Sequence, residues 1–177
     1  MTFEYKKTIT TPNLEKELNL ISESIEKLNL PKGFFEFVVY VISELFTNIK
    51  EHAHTDRAFV VFKINKQKCL IDIIDKGVGL KQSYLSKQIY VKDDFAAIEF
   101  AFSGLSTKGL QERGFGLYSV RKFAEELDGE MIIESGLAKA VIQKNKINFQ
   151  KLKKEIQGVN IKINTPIEKI DFYKIIT

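Results

Sequence analysis

Glu44, Asn48 and His52 recur at four-residue steps inside one of the most apolar stretches of the chain. On a helix that spacing puts a carboxylate, an amide and an imidazole on one ridge. Either the ridge is a solvated face, or its groups are half-enclosed and need partners, because burying them unpaired is costly. Two glycine boxes lie downstream. Asp75-Lys76-Gly77-Val78-Gly79 follows directly on an apolar run. Glycines at a strand exit mark a backbone that turns tightly or that something must approach closely. An aspartate at the end of a strand can accept from the amino group of a base such as adenine, because a rigid element holds its carboxylate. Arg113-Gly114-Phe115-Gly116-Leu117-Tyr118 opens a second helical pattern, where Gly-x-Gly lets backbone N–H groups face an anion at the positive helix end. Read alone, each box is also compatible with a plain turn. Neither a Walker A loop nor a dinucleotide fingerprint occurs, since the lysine of the first and the third glycine of the second are missing.

The elements that must hold these residues follow from periodicity. Pro31 suits a first helical turn, and Phe34, Val38, Val41, Leu45 and Ile49 form an apolar stripe, so a mostly enclosed helix is predicted from Pro31 to His54. Residues 3–9 read as a short edge strand, and Leu14, Leu18, Ile21, Ile25 and Leu28 as an amphipathic helix ending near Leu30. The runs 59–64 and 70–75 are predicted to form a β-hairpin through Asn65-Lys66-Gln67-Lys68. Residues 80–113 lack a strong period. They contain one short helical stretch after Asp93 or Asp94, then a polar segment of the kind that forms functional lids. A helix is predicted from Phe115 to Leu127, stopped by Asp128-Gly129, with strands at 131–134 and 159–163. Between those strands, residues 139–155 hold six lysines and one acid. With Phe149 as the lone aromatic there, stacking on single-stranded nucleic acid has thin support, and an elongated solvated hairpin is expected. The tail from Ile167 is a last strand, a last helix, or a segment that packs on a partner.

Taken in order, these signals resemble the GHKL superfamily of Bergerat-fold ATPases, which includes histidine kinases, type II topoisomerases, mismatch-repair ATPases and anti-sigma-factor kinases. The resemblance spans residues 34 to 135 with three motifs in the right order. It implies an α/β (α+β) two-layer sandwich, with a mixed, mostly antiparallel sheet and helices on one face. It also implies ATP with Mg²⁺ as ligands. Asn48 then matches the asparagine that holds the metal across the phosphates, and Asp75 the aspartate that reads the adenine amino group, with Gly77 and Gly79 beside it. Thr107 and Lys108 fall where the lid touches the terminal phosphate, and Gly114, Phe115, Gly116 and Leu117 fall in the second glycine box. His52 is either close to the nucleotide or a helix-end hydrogen-bonding residue. In relatives that hydrolyse ATP or phosphorylate serine, a glutamate at the position of Glu44 acts as base, and its four-residue distance from the metal ligand suits that role; the competing role is to orient Asn48 or the metal's waters.

Within the superfamily, the layout is similar to stand-alone anti-sigma-factor serine kinases, including the form Glu44-Leu45-x-x-Asn48-x-x-x-His52-Ala53. His52 and His54 are the only histidines, and the lead-in leaves no room for a phosphoaccepting helical hairpin, so any kinase activity is expected to act on another molecule. Three features depart from that pattern: an inserted helix in the lid region, the extended hairpin, and Val159-Asn160 where many relatives carry Gly-Thr. The expected partner is a protein, whether an antagonist, a sigma factor or another phosphoacceptor, and a homodimer is compatible with the resemblance.

The bulk composition narrows the field further. The chain has 177 residues, 44% hydrophobic and 28% charged, with net charge +4, which suits one compact domain over residues 1–177. The positive charge is mild and spread out, so no nucleic acid is expected. Cys69 has no partner for a disulfide and reads as a small core residue. No apolar run reaches membrane-spanning length and the start lacks a signal-peptide core, so no membrane association and a cytoplasmic address are expected.

Overall fold

The computed structural model describes residues 2–103, 116–144 and 146–176. Five strands form one sheet: β1 (Phe3–Thr10), β2 (Arg57–Ile64), β3 (Lys68–Asp75), β4 (Glu130–Gln143) and β5 (Lys146–Pro166). Their spatial order is β1-β2-β3-β5-β4. All four pairings are antiparallel, so the antiparallel part of the expected sheet accounts for every described strand. The reason is local. β2–β3 and β4–β5 are hairpins, and Asn65 closes the first by accepting from the backbone N–H groups of Gln67 and Lys68 at 2.9 and 2.8 Å.

Strict alternation fixes which side of the sheet is covered. In β2 the residues Ala58, Val60, Phe62 and Ile64 are buried, and in β3 Cys69, Ile71, Ile73 and Asp75 are, while their neighbours are half-buried or exposed. A one-residue slip would invert that pattern, so burial pins the register. Against this face lie α1 (Leu14–Glu26), α2 (Phe34–Asn48) and α5 (Gly116–Glu126), with Ile21, Ile25, Phe34, Phe37, Val38, Val41 and Phe123 almost wholly enclosed. β1 is tied to α1 through Glu17, whose buried carboxylate accepts from both the Tyr5 hydroxyl and the Lys7 ammonium.

Three expectations change, and two others take definite form. α2 starts at Phe34 rather than Pro31, because Gly33 at φ +81° is left-handed and cannot continue a helix backwards; the Phe34 N–H instead closes a turn on Pro31 O. At its far end α2 passes into a π-helical segment, Ile49–Ala53, which stops where His54 turns left-handed at φ +51°. The stretch after Asp75 holds a helix that periodicity missed, α3 (Gly79–Ser86), because its residues are mixed around the axis. The short helix beyond it is as expected: α4 (Asp94–Phe102), with the Asp93 carboxylate capping the Ala96 N–H at 2.9 Å. The lysine-rich stretch is the expected elongated hairpin, strand in β4 up to Gln143 and in β5 from Lys146, so the two run on as a long arm past the end of β3. Finally, the tail forms a short helix, α6 (Phe172–Ile176), which packs on this molecule's own α2 and α5.

Candidate functional site

The ridge of α2 is half-buried at Glu44, Asn48 and His52, so the solvated-face reading gives way to the enclosed one. The start of α5 faces that ridge. A methyl group placed at Gly116 would lie 3.6 Å from Glu44 Oε2 and 4.0 Å from Asn48 Oδ1. The first helical turn of α5, the positive end of the helix dipole, therefore lies beside a carboxylate and an amide oxygen. Leu117, the next residue, is buried and anchors that turn in the core. Thr107, Lys108, Gly114 and Phe115 lie outside the described residues.

Asp75 ends β3 and is 6% exposed. Its Oδ1 accepts from the N–H of Gly77 at 2.8 Å and of Val159 at 3.3 Å. Burial pushes its carboxyl above the ordinary range, against the pull of those two N–H groups and of the Lys76 charge. Both bonds land on one oxygen; among the described residues, nothing donates to Oδ2. Gly77 is a contact glycine. A methyl group there would sit 1.9 Å from Ala53 O, and the neighbouring Val78 N–H donates to that same carbonyl at 2.9 Å. Gly158, at φ +78°, would bring a methyl within 2.3 Å of Asp75 O. The glycine loop is thus clamped between the π-helical end of the α2 ridge and the β5 strand. Gly79 opens α3, where a methyl would meet Ser135 Oγ at 3.1 Å. That hydroxyl in turn accepts from the Leu80 N–H at 3.0 Å.

The Asn48, Glu44 and Gly116 group and the Asp75, Gly77 and Gly79 group therefore meet through the five residues Ile49–Ala53. His52 lies on that bridge and its Nδ1 is 2.8 Å from Lys87 Nζ, just past the end of α3. Lys87 carried no sequence signal. Tyr40 did and went unread: it is one further four-residue step up the ridge. Burial is the main cause that pushes its hydroxyl above the usual tyrosine range; Ser119 of α5 opposes the shift and the Glu44 charge adds to it.

Whether the residues suit a nucleotide-bound magnesium ion turns on Asn48. Its Nδ2, a donor that cannot ligate a cation, is buried without a hydrogen bond among the described residues and suits a phosphate oxygen; its Oδ1, 4.0 Å from a methyl placed at Gly116, is the atom that would meet a metal. Magnesium is commonly held by one or two protein oxygens plus phosphate oxygens, and an amide beside a carboxylate is such a set. The residues fit.

A family model described as "Histidine kinase-, DNA gyrase B-, and HSP90-like ATPase" matches residues 35–156, and the chain belongs to that family. It is therefore a GHKL-type ATPase domain, of a class that binds ATP, usually with Mg²⁺. No curated protein matches the chain. No helix among the described residues is long and apolar enough to cross a membrane.

Proposed function

We propose that this protein binds Mg·ATP and passes its γ-phosphoryl group to a hydroxyl or imidazole of a partner protein, as an anti-sigma-factor-type serine/threonine kinase or a stand-alone histidine-kinase-like catalytic domain. The observation that carries the reading is the approach of Gly116 to Glu44 and Asn48. Adenine is held by Asp75, whose Oδ2 accepts from the exocyclic amine while Gly77 and Val159 fix the other oxygen. Nothing larger than hydrogen fits at Gly77, so the adenine-binding loop keeps its path against Ala53. The N-terminus of α5 would face the phosphates, and Asn48 would supply the protein oxygen for magnesium. Magnesium, when bound, offsets charge on the transferring group. Glu44 lies one helical turn from that oxygen and takes the proton of the attacking hydroxyl. Tyr40, His52 and Lys87 hold the ridge above and below.

The test is turnover of ATP, alone and with candidate partner proteins, by wild type and Glu44→Gln. The variant keeps ATP affinity and loses roughly a hundredfold or more in phosphoryl transfer. Equal transfer by both forms would remove Glu44 from the base role. Binding without turnover by either form, with every partner tried, would replace the kinase by an ATP-driven conformational module.

A further inference from the structure

β5 has β4 beside it from Lys146 onward, but β3 joins it only from Asn160 to Pro166. Before that point its second edge faces no strand among the described residues. The arm is nonetheless well supported. Ala138, Ala140 and Ile142 of β4 are at most 1% exposed, α4 packs on that half, and Phe95 of α4 meets Phe149 edge-on at 6.2 Å. Asp94 fastens the helix to the bulge at the arm's foot by accepting from the Leu137 N–H at 2.9 Å. Thus α4 packs on β4, while among the described residues no strand pairs with the outer edge of β5 from Lys146 to Ile156. Lys146, Lys151, Lys153 and Lys154 are exposed along it, with Glu155 as the one acid of the arm. At the foot lies a cleft of about 700 Å³ whose lining includes the apolar Val78, Leu85 and Ile156, the polar Lys81 and Gln82, and the acids Asp94 and Glu155, so an apolar side chain of a docked segment, and not its acids, suits it. Val78 and Leu85 are 40% and 38% exposed, which is high for apolar side chains facing one cleft.

We propose that the free edge of β5 from Lys146 to Ile156 is a strand-addition site for an acidic, extended segment of a partner protein, with one apolar side chain of that segment seated in the cleft at its foot. Strand addition draws affinity from main-chain hydrogen bonds and specificity from pockets that take alternate side chains. Here the edge supplies the first and the cleft the second. The sign of the charge selects the occupant. Lysines on an open edge repel a second copy of the same edge, and they attract a strand of the opposite charge. The cleft is also lined by Gly77, Val78 and Gly79, so the docked segment would end against the loop that carries the Asp75 partner amide.

The test uses the full chain without nucleotide, so its outcome is independent of the ATP site. A fluorescent nine-residue peptide alternating Thr and Glu around a central Leu is titrated and followed by anisotropy. Binding is expected at low salt, weakening about tenfold when ionic strength rises to the range where the screening length is a few ångströms. It is expected to fall about tenfold in the triple variant Lys151→Glu, Lys153→Glu, Lys154→Glu, and to drop similarly in Leu85→Asp, whose exposed side chain makes it safe for folding. A peptide with Lys in place of Glu, and an acidic peptide with methylated backbone nitrogens, are expected not to bind. Absence of binding at millimolar peptide, equal binding of the basic or methylated peptide, or an unaffected triple variant would each overturn the proposal. So would displacement of the peptide by a single-stranded oligonucleotide of higher affinity, or an arm-dependent dimer in sedimentation that excludes the peptide; these would give the edge to nucleic acid or to a second copy.

Discussion

At the scale of single residues, Asp75 gives the sharpest expectation. Its carboxyl is raised by burial, so the folded state holds that proton more tightly than the unfolded chain. Such a group favours folding below its ordinary range, and the benefit is lost as pH rises through the raised value. The Asp75→Asn variant removes the buried charge, keeps an acceptor for Gly77, and should melt at or above the wild-type temperature near neutral pH. Its ATP affinity should nonetheless fall by roughly ten- to a hundredfold, the worth of a hydrogen bond to a charged acceptor. Calorimetric titration paired with a thermal melt checks both halves, and an unchanged affinity would take adenine away from this residue. In the wild type, ATP affinity should decline as pH falls through the raised value, because protonation removes the acceptor. Sequence alone made Asp75 legible through its strand-end position and its glycines. It could not reveal Lys87 against His52 or Ser119 beside Tyr40, since such pairs come from distant segments and have no spacing rule.

At the scale of elements, what was legible is what repeats. The helical stripe of α2 and the alternation of β2 and β3 were readable because one face of each is buried. α3 was not, because its apolar residues do not gather on one side. The start of α2 was misplaced by three residues because a left-handed Gly33 outweighs a proline suited to a first turn. The arm was legible as a hairpin, but the extent of its strands was not, since the lysine-rich β5 half lacks a clear apolar face; β4, with Ala138, Ala140 and Ile142 buried, meets α4, a helix far away in sequence. α4 and the long hairpin thus form one packed unit. The junction of α2 with the glycine loop carries its own prediction. Gly77→Ala forces a methyl against Ala53 O, which should cost about 1–3 kcal/mol and loosen the Val78–Ala53 bond. Chemical denaturation reads the cost, and faster exchange of the Val78 amide reads the loosening. A variant as stable as wild type would mean that the loop has room the structure does not give it.

At the scale of the molecule, a single continuous core links the sheet to α1, α2 and α5. Cys69 sits in it at 1% exposure, and burial pushes its thiol far above the ordinary range. Native protein should therefore resist thiol reagents, with labelling following the opening of the whole core rather than local fraying; mass spectrometry across a denaturant series measures this, and fast labelling in the absence of denaturant would mean that β3 opens by itself. The same core contains a stack of rings that joins α2, α5 and α6. Phe172 of α6 lies flat on Phe123 of α5 at 5.3 Å, and Phe123 meets Phe37 and Tyr40 of α2 at 5.5 and 5.6 Å. These rings lie between the two helices, and the spacing of Gly116 from Glu44 is expected to follow their packing. Phe172→Ala, which touches no proposed ligand contact, should let the helices settle closer or splay, shifting ATP affinity several-fold alongside a loss of about 1–3 kcal/mol in stability. If the proposed phosphate site stands where Gly116 meets Glu44, aromatic rings about two turns farther along α5 would gauge its aperture.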